Sequence, residues 1–153
     1  MNTAKTTMRT VLSMLLCLGA AGVWAAEAKP SSADNQAHAK AINDAIASVS
    51  AVKDAIASYR LHHDAFPTSN AEAGVQPPAA FASSALKRIE VGKDGMVEAT
   101  LTAESGVNDG VIRFMPAMSP QTDLNQVDWT CTTPSYSAIS DITNSLCIYG
   151  KNP

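Results

Sequence analysis

The chain has 153 residues, with 11 Lys and Arg against 14 Asp and Glu and a formal net charge of −3. That length bounds it to one ordinary domain. The acidic balance argues against a surface built for phosphate backbones, and an aromatic content of 5% gives little material for a base- or sugar-stacking platform.

Lys5 and Arg9 are the only charges before Glu27. An apolar run follows from Val11 to Val23, then small residues at Ala25-Ala26, then a polar stretch from Glu27 to Gln36. A basic start, a short apolar core and a small-residue exit are the three parts of a secretory signal peptide. Residues 1–25 are therefore expected to be a signal peptide, cleaved after Ala25 or after Ala28. The competing reading is a membrane anchor. A spanning helix needs about 20 apolar residues, and the segment from Val11 to Ala26 is shorter than that. Leu16 precedes Cys17, where a lipoprotein signal needs a small residue. Cleavage removes Lys5 and Arg9 but none of the 14 acids, so 11 − 2 = 9 basic residues remain and the balance becomes −5.

Of the three cysteines, Cys17 leaves with the signal, and Cys131 and Cys147 stay. An even pair in an exported chain reads as a disulfide. Closing such a loop is worth about 3 kcal/mol by the chain-entropy estimate. Free thiols or half of a metal site are the alternatives. No further cysteine completes a zinc site, and His38, His62 and His63 lie far away in sequence.

Residues 26–36, with Pro30-Ser31-Ser32, read as a flexible linker. From about Asn35 to His63 the chain is alanine-rich and free of Pro and Gly. Apolar residues recur at Ala41, Ile42, Ala45, Ile46, Val49, Val52, Ala55, Ile56 and Tyr59, which predicts one stripe on an α-helix. Asp34 is the expected N-cap. Arg60, His62 and His63 suit the negative end of the helix dipole, and Pro67 forbids continuation. Residues 64–85 read as a loop. Four strands are expected after it: Leu86 to Val91, Met96 to Leu101, Val111 to Met115 ended by Pro116, and Val127 to Cys131. Gly92-Lys93-Asp94-Gly95 and Asn108-Asp109-Gly110 read as the turns between them. Trp129 is expected to pack, since it shares a strand face with Cys131. A helix followed by strands means α+β: one long N-terminal helix on an antiparallel sheet of about four strands, with a disulfide-bounded C-terminal loop.

Several stretches in this order resemble a known family. Ala55-Ile56-Ala57-Ser58-Tyr59-Arg60, Phe66-Pro67-Thr68-Ser69-Asn70 and Ala73-Gly74-Val75 are similar to the end of the stem helix and the start of the αβ-loop of type IV pilins. Val91 to Val97 resembles their first hairpin, and Val127-Asp128-Trp129-Thr130-Cys131 their last sheet strand. Cys147 then closes what in pilins is the disulfide-bounded D-region. The likeness covers about 37 to 150, and the pilin-like domain is expected over 37–153. There is a departure. A pilin precursor carries a short basic leader ending in Gly, followed by an apolar half-helix with a Glu near its start. Here the apolar segment precedes a polar stretch and has no such Gly or Glu. The chain resembles a pilin whose membrane half-helix is exchanged for a cleavable signal.

Catalytic constellations are not visible: there is no phosphate-binding Gly-rich loop, no His-Glu-x-x-His and no Gly-x-Ser-x-Gly. His62 and His63 point about 100° apart on a helix and make a poor metal pair. Asp54 with Asp64, and Asp94 with Asp109, are candidate acid pairs. The last two each precede a Gly, so turn chemistry explains them. Asn108-Asp109-Gly110 beside Glu104 matches no calcium loop. No enzyme, cofactor or metal site is expected. What the resemblance implies is a soluble exported protein, periplasmic or extracellular, that binds pilins or pilus assembly proteins through its disulfide loop and sheet edge. Three roles fit: minor component, assembly modulator or adhesion accessory. The alternatives are a ligand- or DNA-binding module on the same scaffold, or a true pilus subunit with atypical processing. The mature charge of −5 weighs against nucleic acid.

Overall fold

The computed structural model describes residues 31–119 and 126–150. The expected signal peptide over 1–25, and its cleavage site, lie outside these residues.

Helix α1 spans Ser32–His62, 31 residues or about 46 Å at 1.5 Å per residue. It begins inside the stretch read as a linker. Ser31, not Asp34, is the N-cap. The Ser31 hydroxyl accepts the Asp34 N–H at 3.2 Å, and the Asp34 carboxylate accepts the Ser31 N–H at 3.0 Å. This reciprocal box satisfies N–H groups that have no partner within the helix. The first turn is exposed, so it carries no apolar period, and the hydrophobic pattern starts only where the helix meets the sheet. From there Ala41, Ile42, Ala45, Val49, Val52 and Ile56 form the buried stripe, at steps of three and four. The helix stops at His63, whose backbone turns extended while its N–H still donates to the Tyr59 carbonyl at 3.0 Å.

Among the described residues, five strands form one sheet in sequence order: β1 Leu86–Val91, β2 Val97–Leu101, β3 Val111–Met118, β4 Val127–Thr133 and β5 Cys147–Tyr149. The first four are antiparallel. Ile89, Val91, Val97, Ala99, Leu101, Ile112 and Phe114 face α1 and close the core with its stripe. The β1–β2 turn uses left-handed backbone at Asp94 (φ 57°) and Gly95 (φ 74°), and the β2–β3 turn at Asp109 (φ 60°). Asp and Gly tolerate that region best.

Two expectations need correction. β3 does not end at Pro116 but runs through it, because Pro116 stands opposite Trp129 at a position where no N–H is needed. A fifth strand exists, and it is parallel to β4, with Cys131 directly opposite Cys147. A parallel pair needs a crossover of a dozen or more residues, and 134–146 supplies it, with a short helix α2 at Ile139–Ile142. After α2, Asn144 (φ 50°) and Ser145 (φ 64°) are both left-handed. They reverse the chain so that Cys147 returns alongside Cys131.

The loop after α1 is pinned back onto it. Tyr59 Oη donates to Glu72 Oε1 at 2.8 Å, and the Thr68 N–H and hydroxyl donate to Oε2 at 2.7 and 2.8 Å. The His63 ring stacks on Tyr59 with centroids 4.1 Å apart. The Thr68 backbone bond, then those of Tyr59 and the Thr68 hydroxyl, hold the Glu72 carboxyl below the usual glutamate range. A depressed folded-state pKa stabilises above the unfolded value and is lost as pH falls through the folded one. Glu72→Gln is therefore expected to melt below wild type at pH 7 and to lose less than wild type on acidification to pH 3. Equal losses in the two thermal melts would count against the latch.

Candidate functional site

Cys131 and Cys147 form a disulfide with Cα atoms 4.5 Å apart. It bridges adjacent strands, and both half-cystines are buried. The enclosed loop is not irregular surface. Ile139 is fully buried, and Tyr136 reaches inward so that its hydroxyl lies 2.6 Å from Ser105 Oγ. Gly110 makes room for that ring: a Cβ there would stand 2.0 Å from Tyr136 Oη. Thr133 Oγ1 donates to the Val111 carbonyl, and Ser135 Oγ accepts the Val111 N–H at 3.0 Å. The loop is thus fastened to β3, to the 103–107 turn and to the core.

Its outward side chains are mixed: Ser137, Asp141, Asn144 and Ser145 are exposed, followed by a group of large apolar ones. Leu146, Ile148 and Tyr149 are 61%, 52% and 58% exposed, within four consecutive residues. Successive strand side chains take opposite faces, so Leu146 and Ile148, two apart, share one face while Tyr149 takes the other; large apolar side chains grouped on a surface mark contact sites. The backbone beneath is not free, however. The Cys147 N–H donates to Thr143 Oγ1 at 3.1 Å, and Ser140 Oγ donates to the Cys147 carbonyl at 3.2 Å. Side chains of α2 and the turn after it therefore occupy the β5 edge at Cys147. Strand addition at that residue is thereby closed off. The opposite edge is plugged as well. Asn70 Oδ1 accepts the Val91 N–H at 2.7 Å, and its Nδ2 donates to the carbonyls of Ile89 and Gln76 at 3.0 and 2.8 Å. One amide side chain thus does the work of a neighbouring strand for β1.

The candidates for chemistry are dispersed. His62 Nδ1 bonds the Ser58 carbonyl at 2.8 Å, and His63 stacks on Tyr59, so neither faces the other as a ligand pair. Asp109 pairs with Lys87 at 2.7 Å and Asp94 with Lys93 at 3.8 Å. Asp64 pairs with Arg60 at 3.7 Å. No cluster of metal-binding side chains occurs among the described residues. A cleft of about 600 Å³ opens between α1 and the disulfide loop; His38, Ser105 and Tyr136 line it, and no carboxylate does. Every Lys and Arg among the described residues except Lys53 forms an ion pair. The Lys53 ammonium lies over the rings of Phe114 and Trp129, at 5.5 and 5.2 Å from their centroids. Trp129 packs half-buried against the core.

Sequence reasoning placed the cysteines but missed the Asn70 plug and the Leu146–Tyr149 patch. Asn70 sits in a polar loop with no periodic signal. The patch does have one: Leu146-Cys147-Ile148-Tyr149 is the only apolar run after β4.

Comparison with known proteins bears on this architecture. The family model for pilins, the subunits of bacterial filaments, matches residues 37–146. Type IV major pilin protein PilE1 of Neisseria gonorrhoeae is 29% identical over 126 residues, covering 82% of this chain and 74% of its own. The fimbrial protein of Neisseria meningitidis serogroup B is 26% identical over 147 residues, covering 93% and 85%. A long helix laid on a sheet, a stapled loop closing it and a family match over most of the length agree: the chain belongs to the pilin family.

Proposed function

We propose that this pilin-family protein is exported and soluble, and works in a type IV pilus system by binding pilins or assembly proteins. Its role is that of a minor component, assembly modulator or adhesion accessory. The family match over 37–146 carries this reading. Two features give it direction. The polar stretch from Glu27 to Gln36 separates the apolar N-terminal run from the helix stripe, which supports removal of residues 1–25 as a signal peptide. Leu146 and Ile148, exposed on one face, and Tyr149 beside them supply apolar contact surface at the C-terminal edge.

N-terminal sequencing of the exported protein is expected to begin at Ala26 or Lys29. A start within the first nine residues would overturn the soluble reading and make the chain a filament subunit. The double variant Leu146→Asp, Ile148→Asp is expected to leave the melting temperature within a few degrees of wild type, since both side chains are exposed. It is also expected to lower co-fractionation with sheared pili by about tenfold or more, the loss of one strong apolar contact. Undiminished co-fractionation would remove the patch from the proposal.

A further inference from the structure

One stretch of sheet edge differs from the rest. The β1 edge is plugged by Asn70, and the β5 edge is occupied at Cys147 by Ser140 and Thr143. But β5 covers only Cys131–Thr133 of its neighbour. Val127–Thr130 of β4 extends beyond it, and among the described residues no strand pairs with this stretch on that side.

The direction of its backbone groups follows from the ladder. The Ser119 N–H donates to the Gln126 carbonyl at 2.9 Å. Antiparallel pairs alternate, so Met118–Val127 and Pro116–Trp129 are the pairs that do not exchange bonds, which suits a proline with no N–H. The N–H and C=O of Val127 and Trp129 therefore point away from β3, toward the open side. Farther along, Thr133 has the same parity, and its carbonyl accepts the Gly150 N–H at 2.9 Å.

Beside this stretch, on the helix face, lies a groove of about 410 Å³, with Ala57, Leu61, Val127 and Trp129 as its apolar lining and Lys53, Asp54 and two uncharged polar residues completing it. Leu61 is 58% exposed there, in a helix whose other large apolar residues are buried or partly buried. Lys53 has its charge against two rings. Asp128 is exposed on the opposite face of β4. Backbone donors and acceptors in a row call for an extended chain, and alternate side chains of such a chain fall on the two faces.

We propose that β4 at Val127–Thr130 accepts an extended segment of a partner protein, with a bulky apolar side chain in the Leu61–Trp129 groove and an adjacent Lys or Arg meeting Asp128. Charge selects the partner, since the outer-face neighbour of the added strand is an acid and opposite charges across a pair attract. This deepens the protein-binding reading by naming what one stretch of edge takes. It is separable from that reading, because pilus co-fractionation depends on the Leu146–Tyr149 patch.

The test is a titration of the oxidised, exported protein with the blocked pentapeptide Val-Lys-Phe-Thr-Val, followed by amide NMR. Saturable shifts are expected at Val127–Thr130 and Leu61, with slowed exchange of the Val127 and Trp129 N–H groups. Val127→Pro deletes an outward N–H without touching the β3 ladder, and is expected to weaken binding by about tenfold. On wild-type protein, N-methylation of the peptide should cost about tenfold at either Phe or Lys but not at both, because alternate N–H groups face the new neighbour. This second arm stands even where the proline variant fails to fold. Shifts confined to Ile148 and Tyr149, or equal tolerance of both methylations, would overturn the proposal. So would concentration-dependent pairing at 127–130 without peptide, which would give the edge to a second copy of this chain. Failure with pilus co-fractionation intact would sink the strand site alone.

Discussion

Asn70→Ala is expected to lower stability by about 2–4 kcal/mol, from two or three buried backbone groups each losing a partner at about 1–3 kcal/mol. The reason is where the amide sits. Asn70 is 6% exposed, and it joins the Val91 N–H and the Ile89 carbonyl on β1 to the Gln76 carbonyl in the loop. Alanine leaves Val91 N–H and Ile89 C=O without partners at a site that water does not reach freely. Denaturant unfolding should show a lower midpoint with little change in slope. Amide exchange should quicken first at Val91 and over residues 67–76, and less in α1. Asn70→Asp sharpens the test. A carboxylate keeps the acceptor for the Val91 N–H but turns its second oxygen toward two carbonyls, so its folded-state pKa is expected to rise. A raised acid pKa penalises the folded state at pH 7, and the penalty fades as pH falls through that value. The aspartate variant is therefore expected to be no more stable than the alanine variant at pH 7 and to overtake it in acid. A midpoint for Asn70→Ala within error of wild type would show that the loop does not depend on this plug.

The two variants probe a part of the fold that the sequence hid. The long helix, the β1–β2 hairpin and the α+β class were legible because burial imposes a period on the side chains, as at Ala41 through Ile56 and at Val97, Ala99 and Leu101. Turn residues were legible because Asp94, Gly95 and Asp109 hold backbone that few residues tolerate. The misread places obey other rules. The first turn of α1 is fixed by a local hydrogen-bond box at Ser31 and Asp34, with no apolar period. β3 passes through Pro116 because ladder parity, invisible in sequence, spares that N–H. β5 is three residues long, too short for any pattern, and its register comes from a covalent bond. The same holds for the candidate surface. The cysteines were visible, but the exposure of Leu146, Ile148 and Tyr149 depends on Asn144 and Ser145 reversing the chain through left-handed backbone.

That covalent bond carries the other large effect. Replacing both Cys131 and Cys147 with alanine is expected to cost about 3 kcal/mol, the loop-closure entropy returned to the unfolded chain. For a domain of this size the melting temperature should fall on the order of 10 °C. Alanine is preferred to serine because both positions are buried and a hydroxyl would add an unpaired polar group. The local consequence follows from what else holds the loop. Ile139 is fully buried and the Tyr136 hydroxyl bonds Ser105, so residues 134–139 keep noncovalent anchors. Residues 144–150 bury only the Cys147 side chain and are otherwise held by hydrogen bonds: those of the Cys147 backbone to Ser140 and Thr143, the N–H groups of Ser145, Leu146 and Gly150, and the short β5 ladder. Without the bridge, proteolysis and amide exchange should open 144–150 first, while α1 and the β1–β2 hairpin keep their protection. The contact patch lies in that segment, so pilus co-fractionation should weaken together with the loop, before global unfolding. Unchanged protease resistance of 144–150 after reduction would show that packing alone holds β5 in place, and the patch would then owe nothing to the disulfide.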